Sequence, residues 1–165
     1  MQAYHGTPET IEKWNLDNIG KTTGTSGGGF GVYFTTAEDE AQAYGANVYT
    51  VDLQLGRGVC VDYRTLSKND IKAILTHYES VAEYGYVENY SNFNEALNVL
   101  NESDTDTEII GDLCNATGDI KGVLSSVVAC GYSHAITNGF STDTNGKLSM
   151  HYIVFDVNII NQLNS

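Results

Sequence analysis

A chain of 165 residues with 41% hydrophobic content can bury one core and is short for two, so a single domain over residues 1–165 is expected. Its 21 acidic residues against 8 basic ones give a formal charge of −13, and the bases scatter from Lys13 to Lys147, which argues against general nucleic-acid or anionic-membrane binding. No apolar run approaches a membrane span, and the opening residues lack a basic start followed by an apolar stretch, so a soluble, cytoplasmic protein is expected.

Gln2 to His5 reads as a strand ending at Gly6, and Pro8 suits the first turn of a helix through Trp14. Gly20 to Gly31 is locally glycine-rich and reads as a loop. Phe30 to Thr35 is aromatic and β-forming, and Thr36-Ala-Glu-Asp39 has the Thr-x-x-acid form of a helix start, for a helix to about Tyr44. Asn47 to Leu55 alternates, with Tyr49, Val51, Leu53 and Leu55 on the greasier face. Helical spacing then appears three times: Ile71, Ile74, Leu75 and Tyr78 behind a Ser67 cap; Phe93, Ala96, Leu97 and Leu100; and Ile120, Val123, Leu124 and Val127, ending at Gly131. Asp104 to Glu108 reads as a solvated surface loop. Tyr132 to Thr137 and Ser149 to Val157 read as strands, joined by a polar turn over Asn138 to Lys147. Strands at both ends with helices between them predict an α+β fold with mixed or antiparallel sheets.

Several motifs fail on inspection. Gly20-Lys21-Thr22 has Asn15 where a phosphate loop needs its first glycine, and the glycine cluster does not fit Gly-x-Gly-x-x-Gly. Gly131-Tyr-Ser133-His-Ala135 lacks the second glycine of a nucleophile elbow and leads into a strand. Asp104, Asp106 and Glu108 meet Ile109 where a calcium loop needs glycine, so no metal site is expected. Cys60, Cys114 and Cys130 are an odd number at wide spacing, which fits reduced packing residues. His77 and His134 are expected to be structural.

Three segments carry chemistry together: Tyr4-His5-Gly6-Thr7; Gly31-Val-Tyr33-Phe-Thr with Ala41-Gln-Ala-Tyr44-Gly; and Met150-His151-Tyr-Ile-Val-Phe-Asp156. In this order, across the whole chain, they resemble the His-Tyr-Glu class of ADP-ribosyltransferases, which includes diphtheria-like toxins and poly-ADP-ribose polymerases. The chain is also similar to short phage-encoded and anti-CRISPR ADP-ribosyltransferases. The resemblance implies an ADP-ribosyltransferase-like α+β fold of split mixed or antiparallel sheets with flanking helices. It implies NAD as the ADP-ribose donor, with His5 on the adenosine-ribose hydroxyl, Gly6 and Thr7 beside the nicotinamide, and Tyr33 and Tyr44, eleven residues apart, stacked on its ring. Neutral imidazole bonds a sugar hydroxyl without adding charge, glycine admits a flat ring, and aromatic faces attract a cationic pyridinium.

The chain departs from the family at the glutamate that precedes Tyr-Ile-Val, where His151 stands. That carboxylate bonds the nicotinamide ribose and supports the positive charge growing on it, so its loss should reduce rate more than binding. Asp143, on the turn before the strand, is the expected replacement, with His151 beside it. The expected function is mono-ADP-ribosylation of a macromolecular acceptor, in the first place a protein. A basic nucleic-acid-binding complex would suit the acid excess. A binding or inhibitory module without catalysis, and an NAD glycohydrolase, are the alternatives.

Overall fold

The computed structural model describes residues 1–17, 30–82, 90–143 and 145–164. The expected glycine loop, apart from Phe30 and Gly31, lies outside them. In chain order the elements are β1 (Gln2–Thr7), β2 (Val32–Thr35), α1 (Glu38–Gln42), β3 (Asn47–Leu53), β4 (Arg57–Cys60), α2 (Lys68–Val81), α3 (Phe93–Leu100), α4 (Asp106–Thr117), α5 (Ile120–Ala129), β5 (Tyr132–Thr142), β6 (Leu148–Val154) and β7 (Ile160–Asn164). The chain is therefore α+β. Contacts divide it into two compact units, Met1–Gly58 with Ser133–Ser165, and Val59–Tyr132.

The strands form one seven-stranded sheet in the order β4-β5-β6-β2-β1-β3-β7, where split sheets are expected from sequence. The halves are joined because β2 is bonded to β6 on one edge and to β1 on the other. That join is slight: β1 and β2 share the single register pair Tyr4↔Thr35, while β1 and β3 pair over six residues from Gln2↔Asp52 to Thr7↔Asn47. β2 and β6 pair over four, from Val32↔Val154 to Thr35↔His151, and all of these pairings are antiparallel.

Opposed residues of an antiparallel pair share a face. One face buries Ala3, Phe34, Val51, Leu53 and Val154 with Ile160, under Trp14. The other holds Gly6, Tyr33, Thr35 and His151 by register and alternation, and α1 lies on it. A Cβ at Gly6 would stand 1.7 Å from the Ala41 carbonyl oxygen, so only glycine lets the helix backbone approach this closely.

Pro8 to Trp14 is not helical, contrary to the sequence reading. Its backbone is held from elsewhere: the Ile11 amide donates to the Tyr49 hydroxyl at 2.8 Å, and the Asn47 amide group donates to the Pro8 carbonyl at 3.2 Å. Trp14 packs 5.3 Å from Phe34 and 5.8 Å from Tyr49, ring to ring, and this burial outweighs weak local propensity. The expected Thr36 cap is also absent. Ala37 occupies the cap position, and the Thr36 hydroxyl instead accepts the Met150 amide at 3.0 Å.

In the unit Val59–Tyr132, the expected Ser67 cap forms a full capping box with Asp70. Of the periodic positions, Ile71, Ile74, Leu75, Tyr78, Ala96, Leu97, Leu100, Val123, Leu124 and Val127 are buried, and Phe93 and Ile120 are half-buried. The acidic stretch 104–108 is not a solvated loop. Thr105 and Glu108 cap α4 reciprocally, and Asp106 is fully buried, accepting backbone N–H groups of Cys60, Thr65 and Leu66, each at 2.8 Å, and the Thr65 hydroxyl. The carboxylate enters the interior because the 60–66 segment offers it four donors.

Asp106→Ala leaves those donors unpaired, and we expect it to destabilise this unit by about 3 kcal/mol or more, read as an earlier transition in urea unfolding followed by circular dichroism. His134 on β5 is 1% exposed and burial pulls its imidazole down to about 4 from 6.5. The unfolded chain takes up this proton first as pH falls below 6.5, so stability present at neutral pH is lost between pH 6.5 and 4. Thermal melts of His134→Phe, set against the parent protein across that range, should show a shallower fall.

Candidate functional site

β1 and β2 part beyond Tyr4↔Thr35, and the His5 side chain bridges the parting. Its Nδ1–H donates to the Tyr33 carbonyl at 2.6 Å, a bond that fixes the proton on Nδ1 and leaves Nε2 as an acceptor in the neutral ring. Burial lowers the His5 pKa against the opposing effect of the Tyr33 carbonyl, so the ring is neutral at pH 7. The ring contacts Trp14 edge-on at 5.3 Å and Phe34 at 5.6 Å. The Trp14 indole N–H beside it is buried without a hydrogen-bond partner among the described residues.

Tyr33 alternates with Phe34 and so leaves β2 on the opposite face, the one that α1 covers. Tyr44 follows that helix and is 57% exposed. The two phenols interact: burial, and then the neighbouring Tyr44, raises the Tyr33 pKa. Tyr44 is thus near enough to act on Tyr33 electrostatically, while His5 is joined to Tyr33 through the backbone, its own ring lying against Trp14 and Phe34 on the other face of β2.

His151 faces the same side as Tyr33, one alternation along. Its Nε2 stands 2.9 Å from Oε1 of Glu40, a residue that the sequence analysis does not single out. Glu40 is 8% exposed, and its carboxylate accepts the Thr35 hydroxyl at 2.6 Å, the Phe140 backbone N–H at 2.7 Å and the Ser149 hydroxyl. Burial raises its pKa, but these hydrogen bonds and the neighbouring His151 outweigh it and hold the carboxyl below the usual range. The Phe140 amide reaches Glu40 because the β5–β6 ladder is irregular between Asn138 and Thr142, inside the stretch expected as a turn. Gly139 admits the carboxylate, since a Cβ there would lie 2.8 Å from Glu40 Oε2 and 2.0 Å from the Ser149 hydroxyl. The Phe140 ring is 84% exposed and meets His151 edge-on at 5.5 Å.

Asp143 stands apart from this cluster in its bonding. Its carboxylate accepts the Asn145 and Lys147 backbone N–H groups at 2.8 and 3.0 Å and closes the turn. The Thr7 hydroxyl accepts the Glu9 amide at 3.2 Å. Gly6 has a packing role against Ala41, described above. Among the described residues, no group of three or more His, Cys, Asp or Glu side chains could hold a metal ion, and no helix is long and apolar enough to cross a membrane.

No protein-family model, curated protein or solved structure matches the chain.

A carboxylate held low in the fold supports stability above the unfolded value near 4.5 and withdraws it as pH falls through the folded one. Glu40→Gln should therefore flatten the loss of thermal stability below pH 4.5 while lowering stability at pH 7, measured by melts at both ends of the range.

Proposed function

We propose that this protein is an NAD-dependent mono-ADP-ribosyltransferase with an ADP-ribosyltransferase-like fold, acting on a protein acceptor. The observation that carries the reading is a neutral His5 tied through Nδ1 to the Tyr33 carbonyl where β1 and β2 part, with the Tyr33 phenol on the other face of β2 near Tyr44. Two phenol faces suit a pyridinium ring, at about 0.5 to 2 kcal/mol per contact. The His5 Nε2 has the lone pair that a ribose hydroxyl needs, and neutrality spares the site a cation it could not solvate. His151 and Glu40, on the face that carries Tyr33, put a carboxylate next to the strand position where the similar enzymes have glutamate. Glu40 takes the place that the sequence reading gave to Asp143.

The four hydrogen bonds already made by Glu40 favour a second reading, an NAD-binding or inhibitory module without turnover. Labelled NAD incubated with the protein and a cell lysate separates the two. The proposal expects label on a discrete protein species, with nicotinamide released. Free ADP-ribose with no labelled partner marks a glycohydrolase, and binding without release marks the module.

Tyr33→Ala should weaken NAD binding about tenfold by calorimetry. Unchanged affinity, or no binding by the parent protein, overturns the proposal.

A further inference from the structure

We infer that Glu40 and His151 form a carboxylate–imidazole pair in which His151 is the general base for a hydroxyl acceptor and Glu40 is its positioning residue. The inference rests on the transferase reading and adds to it the class of acceptor.

The pair has the parts that such a base requires. Glu40 is ionised and accepts at Oε1 from His151 Nε2, 2.9 Å away, so the imidazole proton is fixed on Nε2 and Nδ1 is left as the basic nitrogen. Nδ1 has no hydrogen-bond partner among the described residues and is not among their buried, unpaired atoms, and 11% of the His151 side chain is exposed. Glu40 cannot turn away, because Thr35, Ser149 and the Phe140 amide hold its two oxygens. The pair also faces the side of the sheet that carries Tyr33. His151 opposes Thr35, two residues along β2 from Tyr33, and Glu40 lies on α1, which Tyr44 follows.

The step balances without a further reactant. The bond between ribose C1′ and the nicotinamide nitrogen breaks with its electron pair going to nicotinamide, and the acceptor oxygen bonds C1′. The hydroxyl proton passes to His151 Nδ1, and the imidazolium so formed is offset by the Glu40 carboxylate. A carboxylate acceptor has no proton to lose and needs no such base. A serine or threonine hydroxyl must give up its proton as it attacks, and this is the acceptor class that the pair would serve.

Glu40→Gln tests this, because the Gln carbonyl keeps the bonds of Oε1 to His151 Nε2 and the Phe140 N–H while the charge that offsets the imidazolium is lost. The expected result is a fall in kcat for nicotinamide release of about 100-fold with KM for NAD within about threefold. In parallel, 15N spectra of the NAD-free protein at neutral pH should show His151 as the Nε2–H tautomer. A parent protein with His151 protonated on Nδ1 overturns the inference whether or not the variant folds. So does a Glu40→Gln protein with parental kcat, or a labelled partner that loses its label to neutral hydroxylamine, the mark of a carboxylate acceptor. A hydroxylamine-resistant label supports a side-chain hydroxyl, and free ADP-ribose with no labelled partner overturns that acceptor class. Absence of NAD binding by the parent protein instead defeats the transferase reading, which the tautomer measurement does not depend on.

Discussion

The hydrogen bond from the His5 imidazole to the Tyr33 carbonyl is the contact on which the arrangement turns. β1 and β2 share one register pair and then part, and a carbonyl at such a parting loses the amide that a continued ladder would have given it. His5 supplies the donor from a side chain. The sheet thereby stays continuous while opening at one point, the imidazole is locked in one tautomer, and Tyr33 is fixed relative to the strand beside it. Trp14 and Phe34 close around the ring and keep it neutral by excluding water.

The second constraint is the closeness of α1 to the sheet. Gly6 and Gly139 lack the side chains that would keep the helix backbone and the Glu40 carboxylate away. A buried carboxylate is expensive unless its oxygens are fully bonded, and the donors to Glu40 come from three strands: a hydroxyl on β2, a hydroxyl and an imidazole on β6, and an amide freed by the irregular stretch of β5. The local irregularity of β5 is thus what completes the charge site. On the proposed reading, the same five-residue helix also sets the position of Tyr44.

Much of this was legible in the sequence where one strong local signal acts alone. The buried faces of α2, α3 and α5 follow from apolar spacing, the α2 start from Ser67, and the inward face of β3 from the alternation of Tyr49, Val51 and Leu53. The α+β class follows from the order of those elements. What escaped were features set by partners distant in the chain. Asp106 looks like a loop acid until the Cys60 to Leu66 backbone is brought to it, and Pro8 to Trp14 looks helical until Tyr49 and Phe34 receive the indole. Glu40 follows the same logic: a helix glutamate beside Glu38 and Asp39 carries no local mark of burial. The one available signal was Gly139-Phe140, a small residue and an aromatic one inside a supposed polar turn.

The most direct measurement of the account is the protonation and ligand response of His5, read by long-range 1H–15N spectra at neutral pH with and without NAD. The account predicts a neutral ring protonated on Nδ1, with the Nε2 resonance moving as NAD is added. A ring protonated on Nε2, or an Nε2 resonance indifferent to saturating NAD, would contradict it.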